Sequence, residues 1–521
     1  MARADSDAVT TPPLLQDDPH EPHAVEPSRS RPGPVAAVAL VAGVVGYLGA
    51  WHVSLWSDEV ATISAARRTP GELMALLGHV DAVHGLYYAG MHAWVAAFGA
   101  GPASIRLASA LAVAVGAAGV VVLGTRVANA RVGVVAGLAF ALLPRVTWAA
   151  VEARSWAATL ALAVWATVAL HRAVSSRRTS AWVLYGLLGA LAVATNIYLV
   201  MLWLAHGITV LVIARDRLRP WVATACVAAL AAGGVVLAAT RQAGQLGSTD
   251  LTPVRLVRMV VVNQWFLGET PTPTSGAGAV DTELWKISSV ALAALAWCVI
   301  GFAVVRARGA RPALLAWTLP WLLVPSVLLV AAALVRPSLY NPRYLTFCAP
   351  AVALLLAAGL CELRRRAMVA VSVALVLLAA PVYVSQRAVL AKSSADLSLV
   401  AAELRSRTSQ GDAVYYGPRD PAVDGLVRRS LRTVALGYPA SVRGLRDIAL
   451  VADPATSETL FGTSRPLGPA LERLPDHGTL WVVRREDQPD AAADDRTLRD
   501  AGLRVVGTWR GPQTEIVELR R

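Results

Sequence analysis

The sequence predicts a polytopic α-helical membrane protein of about eleven spans with a small carboxy-terminal α/β domain, and three observations carry that expectation. Hydrophobic residues fill 55% of the 521 positions and charged residues only 16%, too apolar a balance for a soluble chain. The apolar residues gather in blocks near membrane length. Beyond about Arg387 the pattern changes to dispersed charges of both signs and short apolar runs parted by turn residues. The net charge of +13 would suggest nucleic acid in a soluble chain. Here the Lys and Arg excess sits in short loops between apolar blocks, which is a topology signal and gives no reason to expect a nucleic-acid partner.

Residues 1–33 are rich in Pro, Asp, Glu and Ser without apolar period, so a disordered cytoplasmic tail is expected. The run 34–50 follows more than thirty polar residues and reads as a retained signal anchor. Further apolar blocks lie at about 103–123, 132–143, 156–170, 181–194, 197–213, 221–239, 284–305, 313–334, 345–360 and 368–384. Arginine clusters at 126–131, 172–178, 215–219, 306–311 and 364–366 fall in alternate loops, which makes those loops and the amino terminus cytoplasmic. The loops 51–103 and 241–283 and the whole segment after 387 are then extracytoplasmic. This count needs a tight turn at Thr195 and Asn196 to divide 181–213 into two spans. The four cysteines show no CxxC spacing and read as small core residues.

The first outer loop holds Asp58 and Glu59, the first acidic residues after the first apolar run. Farther on, Thr69-Pro70-Gly71-Glu72 has Thr at an N-cap, Pro at the first helical position and Glu three residues after the cap, the start of a helix lying on the interface. The device recurs in part at Thr252-Pro253. In the carboxy-terminal segment a helix is expected over 397–407 and strands over 413–416, 479–483, 503–509 and 514–519, with no motif that reveals chemistry. The working division is a tail over 1–33, a transmembrane domain over 34–386 and an outer α/β domain over 387–521.

Several motifs together resemble a family. W-S-D-E in the first outer loop, D-x-x-x-x-L-Y-Y from Asp81 to Tyr88, Arg106 opening the second span, E-A-R-S-W at 152–156 and P-R-Y-L at 342–345 are similar to the GT-C integral-membrane glycosyltransferases, nearest to the protein O-mannosyltransferase and aminoarabinose transferase type. The resemblance covers about residues 40–384. It implies an enzyme of the plasma membrane that takes a sugar from a polyprenyl phosphate at the outer face, without a nucleotide sugar. An envelope glycan, lipoglycan or protein is the implied acceptor, mannose the implied sugar and arabinofuranose the alternative. The chain departs from the family in having Val83-His84-Gly85 where a His-Pro-Pro run is common, and no histidine near Asn196.

The chemistry asks for a base on the acceptor hydroxyl, cations on the leaving phosphate and exclusion of water. Asp58 is the expected base, with Glu59 positioning the acceptor or modulating Asp58. Arg154 and Arg343 are outer-face arginines that the topology rule does not require, and each can fork onto phosphate oxygens; snorkelling to lipid headgroups is their other reading. Asp81 and His84 would hold sugar hydroxyls, with the Tyr88 ring stacking on the sugar and Tyr344 beside Arg343 completing the substrate set; loop anchoring is the other reading for the first two. His92 reads as a helix-packing residue. No carboxylates stand at coordinating spacing, so no cofactor is expected and catalysis is expected to be metal-independent. A transporter or flippase is the rival of another class, but such proteins show repeated halves and broken mid-membrane helices, whereas the charges here lie at span ends. A silent envelope-binding scaffold is the third reading.

Overall fold

A computed structural model describes residues 32–176, 178–242, 252–268, 282–417, 422–423, 426–427, 430–474, 478–488 and 490–521. The expected disordered tail lies outside the described residues except for Pro32 and Gly33, which open the first helix, and most of the 241–283 loop lies outside them too.

Helix α1 (Pro32–Tyr47) leads to three helices at one end of the bundle, α2 (Ser57–Ala66), α3 (Pro70–His79) and α4 (Gly85–Phe98). The bundle continues through α5 (Pro102–Val127), α6 (Ala130–Leu142), α7 (Pro144–Ala150), α8 (Trp156–Ser175), α9 (Thr179–Thr195), α10 (Val200–Ile213) and α11 (Leu218–Arg241). A short α12 (Pro253–Arg258) and α13 (Gln264–Phe266) flank a π-helical turn at Met259–Asn263, and α14 (Thr282–Ala310), α15 (Pro312–Val335), α16 (Ala349–Glu362) and α17 (Arg365–Ser385) complete the helical part.

Among the described residues, seven helical stretches are long and apolar enough to cross a membrane, at 102–127, 156–175, 215–241, 284–310, 312–335, 342–362 and 365–385, and an eighth if α6 and α7 form one span bent by 63°. The other three expected spans fall on apolar helices at 32–47, 179–195 and 197–213, which are shorter. At about 1.5 Å rise per residue such helices fall short of a hydrocarbon layer of about 30 Å. The chain does turn back at Asn196, as the span count requires. Asn196 accepts from Tyr198 N at 3.0 Å, and across the turn the Tyr185 and Trp203 rings stand 4.6 Å apart. A Cβ at Gly189 would lie 2.0 Å from the Trp203 ring, so that ring of α10 lies directly against α9.

Inside the bundle α5 packs against α1, α6 and α8. Small residues set the spacing, since a Cβ on Gly133 would come within 2.5 Å of Val121 O and Thr125 Oγ1. The two capped helices form as the sequence predicts. Thr69 and Glu72 make a reciprocal capping box on α3, and the Thr252 side chain caps α12. Met74, Val254 and Val257 on these helices are exposed, as an interface helix requires. The cysteines are corrected in part: all four are free, but only Cys348 is buried, while Cys226 and Cys298 face outward on α11 and α14.

Beyond α17 come α18 (Leu397–Arg407) and strands β1 (Ala413–Tyr416), β2 (Ala422–Val423), β3 (Leu426–Val427), β4 (Arg446–Asp447), β5 (Leu450–Ala452), β6 (Thr463–Ser464), β7 (Leu480–Arg485), β8 (Arg504–Arg510) and β9 (Thr514–Arg520), with short helices between them. The main sheet has the order β4-β1-β7-β9-β8, parallel over its first three strands and antiparallel beyond. Because side chains alternate along a strand, Ala413, Tyr415, Leu480 and Val482 pack on one face of this sheet. Val414, Tyr416, Trp481 and Val483 pack on the other, in one cluster with Leu55, Val60 and Ile63 of the α2 region.

That second cluster welds the sheet domain to the bundle through α2. Leu55 N donates to Tyr438 Oη at 2.9 Å and Ser64 Oγ to Leu460 O at 2.6 Å. Arg68, just past the end of α2 and 1% exposed, donates to the carbonyls of Pro454, Ala455, Ser457 and Thr459. The helix that starts with the Asp58-Glu59 pair is therefore held at its far end by the carboxy-terminal domain.

Candidate active site

Asp58 and Glu59 occupy the first turn of α2, where the free amide groups and the positive end of the helix dipole favour carboxylates. One helix-residue step of about 100° turns the two side chains to different surroundings. Asp58 points into a cavity of about 630 Å³, with its Oδ2 3.4 Å from Arg343 Nη1. Both partners are partly open, Asp58 at 31% and Arg343 at 21% side-chain exposure.

Glu59 is turned inward and wholly buried. Its two oxygens receive Arg106 Nε at 2.8 Å and Nη2 at 2.5 Å, and Oε1 also receives Ala153 N at 3.0 Å. The other arms of Arg106 donate to the carbonyls of Ala50, Val53 and Ser54 at 2.7 to 3.1 Å. Arg106 thus ties the turn after α1, the start of α2 and the 152–156 loop to α5. Glu59, expected to position the acceptor or modulate Asp58, does not line the cavity; its carboxylate neutralises the buried Arg106 cation.

The cavity has two kinds of wall. Val200 and Met201 of α10 and Leu328, Leu329 and Ala332 of α15 make an apolar one. Loops bring the polar groups Asp58, Asp81, His84, Arg154, Asn196, Tyr198, Arg343 and Tyr344, with Thr240 and Gln242 at the end of α11. Gln242 also fixes the first loop, receiving Ala82 N and donating to Leu77 O, both at 2.9 Å. The Tyr198 and Tyr344 rings stack at 4.4 Å and 14°, and Trp156 stands 5.9 Å from Tyr344. Arg343 Cζ lies 5.6 Å from the Trp56 ring and 6.0 Å from the Trp156 ring, a pair of aromatic faces that suits a guanidinium.

Asp81 sits in the left-handed region with φ 56, and its Oδ2 accepts from Tyr88 Oη at 2.5 Å. Tyr88 Oη in turn accepts from Arg154 Nη1 at 2.6 Å, and that nitrogen stands 3.7 Å from Asp81 Oδ2. Tyr88 is fully buried and absent from the cavity wall. Expected to stack on a sugar, Tyr88 stands behind that wall: burial pushes its phenol well above the usual range, and the protonated hydroxyl links Asp81 to Arg154. His84 reaches the cavity. Burial first, then the Arg154 cation, hold it well below the usual imidazole range, so it is neutral at pH 7. His84 Nδ1 and Arg154 Nε are buried without a hydrogen-bond partner among the described residues, an arrangement that favours polar atoms of a ligand at this wall. His92 packs as expected, its Nδ1 2.9 Å from Ala66 O.

Of the residues singled out from sequence, Asp58, Asp81, His84, Arg154, Arg343 and Tyr344 meet around one cavity, and Glu59 and Tyr88 stand behind it. Sequence reasoning passed over Trp156, Tyr198 and Asn196 as cavity residues. Trp156 closes the E-A-R-S-W run, and Asn196 with Tyr198 occupies the turn that divides two spans, so position at a span end was the available signal. Among the described residues no group of three or more His, Cys, Asp or Glu converges as metal ligands do.

The family model for dolichyl-phosphate-mannose-protein mannosyltransferase matches residues 88–241, a segment that includes Arg154, Trp156, Asn196 and Tyr198. The fold is similar to that of ArnT from Cupriavidus metallidurans in the apo state, with TM-score 0.55 and 15% identity over 93% of this chain and 98% of that one. ArnT bound to undecaprenyl phosphate gives 0.49 and 14% with the same coverage. The archaeal oligosaccharyltransferase AglB from Archaeoglobus fulgidus gives 0.46 and 11% over 87% and 69%. No curated protein matches. The fold is shared with ArnT, and the cavity joins an apolar wall to carboxylate, guanidinium and aromatic groups. Residues 88–241 carry the match to the protein mannosyltransferase family model.

Proposed function

We propose that the protein is an inverting glycosyltransferase that uses a polyprenyl-phosphate sugar, with mannose as the sugar and an envelope glycan, lipoglycan or protein as acceptor. One observation carries the reading: Asp58 and Arg343, 3.4 Å apart, lie where the polar loops meet the apolar wall of one cavity. A lipid-linked sugar phosphate asks for such a place, with apolar surface for the prenyl chain, cations for the phosphate and a carboxylate at the reacting carbon. The description of the matching family supports mannose.

In the proposed reaction the acceptor oxygen attacks the anomeric carbon on the face away from the phosphate, and Asp58 takes the hydroxyl proton. The bond from that carbon to the phosphate oxygen breaks, and its electron pair leaves on the polyprenyl phosphate, where Arg343 and Arg154 offset the charge. Arg343 changes partner in this sequence, from Asp58 before the donor binds to the phosphate afterwards. Asp81, His84 and Asn196 supply polar contacts to the sugar, and the stacked Tyr198 and Tyr344 flank it. No step requires a metal.

The test is release of polyprenyl phosphate from a panel of polyprenyl-phosphate mannose, polyprenyl-phosphate arabinofuranose and a nucleotide-linked mannose. Release is expected from the first and not from the last. Asp58→Asn keeps the shape of the side chain but cannot take the proton, and should lower turnover by about two orders of magnitude or more while donor binding survives. Near-normal transfer by that variant would sink the assignment of the base, and Asp81 would be next to test.

A further inference from the structure

The stretch between α17 and α18 returns Lys392 into the bundle, where its Nζ pairs with Glu152 Oε2 and stands 5.2 Å from the Trp148 ring centre. Lys392 is 1% exposed and Glu152 wholly buried. Two ions sealed from water are costly to keep, and neither residue lines the donor cavity. The transfer chemistry does not use them directly.

The other oxygen of Glu152 shows where the pair acts. Oε1 accepts from Trp56 Nε1 at 2.9 Å. Trp56 is the residue from which α2 starts, two positions before Asp58, and its ring carries the Arg343 guanidinium at 5.6 Å. A Trp held only by packing can rock about its two side-chain torsions, and an anchored indole N–H removes that freedom. Resting on the donor reading above, we propose that Lys392 is a positioning residue for transfer. By holding the Glu152 carboxylate it fixes Trp56, and through that ring sets Arg343 and the start of the Asp58 helix. The segment leading into the carboxy-terminal domain thereby takes part in assembling the site.

The charge state of Glu152 provides a readout that simple packing lacks. It is faced by Lys392 from the α17–α18 segment, by Asp58 and Glu59 of α2, by Arg106 of α5 and by Tyr87 of α4. Burial pushes its carboxyl up to about 7, with Glu59 adding to the rise and Lys392 opposing it. Without Lys392 that opposition is lost and the carboxyl rises further, so the group stays protonated through neutral pH. A neutral carboxyl is a weaker acceptor for the indole than a carboxylate, by roughly half.

The experiment measures kcat and donor KM from pH 6 to 9 for the full-length protein and its variants, with whichever polyprenyl-phosphate sugar the panel identifies. Lys392→Met should lower kcat by about ten- to a hundredfold at pH 7 and regain part of it as pH rises and Glu152 ionises. Lys392→Arg should stay within about threefold, since it keeps the charge in place. Two double variants remove both charges and stay testable if the single one does not fold, because a buried pair replaced as a unit costs little. K392M/E152Q keeps an acceptor for Trp56 and should transfer at a pH-independent rate within about threefold of wild type. K392M/E152L lacks that acceptor and should fall by about tenfold or more. Equal transfer by the two double variants, or a Lys392→Met profile identical to wild type, overturns the proposal. Wild-type protein that releases polyprenyl phosphate from no donor sinks instead the functional reading on which it rests.

Discussion

Replacing Glu59 by glutamine separates the two adjacent carboxylates most sharply. Arg106 is fully buried and reaches three backbone carbonyls and both Glu59 oxygens. The amide that takes the place of the carboxylate retains one acceptor oxygen, which serves Arg106 or Ala153 N, but supplies no charge. Removing one member of a buried pair costs about 3–5 kcal/mol because the other ion is left uncompensated. The carbonyl contacts that survive place the effect near the lower figure, about 3 kcal/mol. This is a large part of a stability of about 5–15 kcal/mol and, spread over the unfolding entropy of a chain this long, should lower Tm by roughly 3 °C. The assay is thermal unfolding of the purified protein in detergent beside transfer by the fraction that remains folded. That fraction should work within about threefold of wild type, because Glu59 touches no substrate and the surviving carbonyl contacts of Arg106 still hold the turn after α1 and the start of α2. Asp58→Asn should show the converse, lost turnover with little change in Tm, because its partner Arg343 is partly open to solvent and an exposed pair is worth about 0–1 kcal/mol. If Glu59→Gln kept its Tm within about 1 °C and lost transfer a hundredfold, Glu59 would belong to the chemistry and the reasoning from burial would fail.

Two further outcomes test the site and the topology. Arg343→Ala should raise donor KM by about tenfold or more, with only partial recovery in Arg343→Lys because an ammonium cannot reproduce the planar fork; unchanged donor kinetics in both would assign Arg343 to lipid headgroups. A reporter fused after Arg521 should work only outside the cytoplasm and one at Met1 only inside, as an odd number of spans requires. Both ends on one side would favour the eight-span reading, in which α6 and α7 are one bent span.

Much of this protein was determined by the sequence alone, because the signals are local. Apolar blocks follow from the lack of water inside a bilayer, where every backbone group must bond within its own helix. The capping box at Thr69 and Glu72 and the turn at Asn196 involve residues two to three apart. The strands at 413–416, 480–485, 504–510 and 514–520 follow from short apolar runs parted by turn residues. Motif order brought out Asp58, Arg154 and Arg343 in the same way. What only the tertiary structure decided is which of two neighbouring groups faces a cavity. Asp58 and Glu59 are neighbours in the sequence, and their surroundings part because Arg106, 47 positions from Glu59, buries its charge against that carboxylate. That Asp81 and Arg154 close on the Tyr88 hydroxyl could not be read from the chain either. Lys392 gave no signal at all, since its partner Glu152 is 240 residues distant. Pairing of buried charges depends on which side chains meet in the folded core, and no pattern along a single chain encodes that meeting.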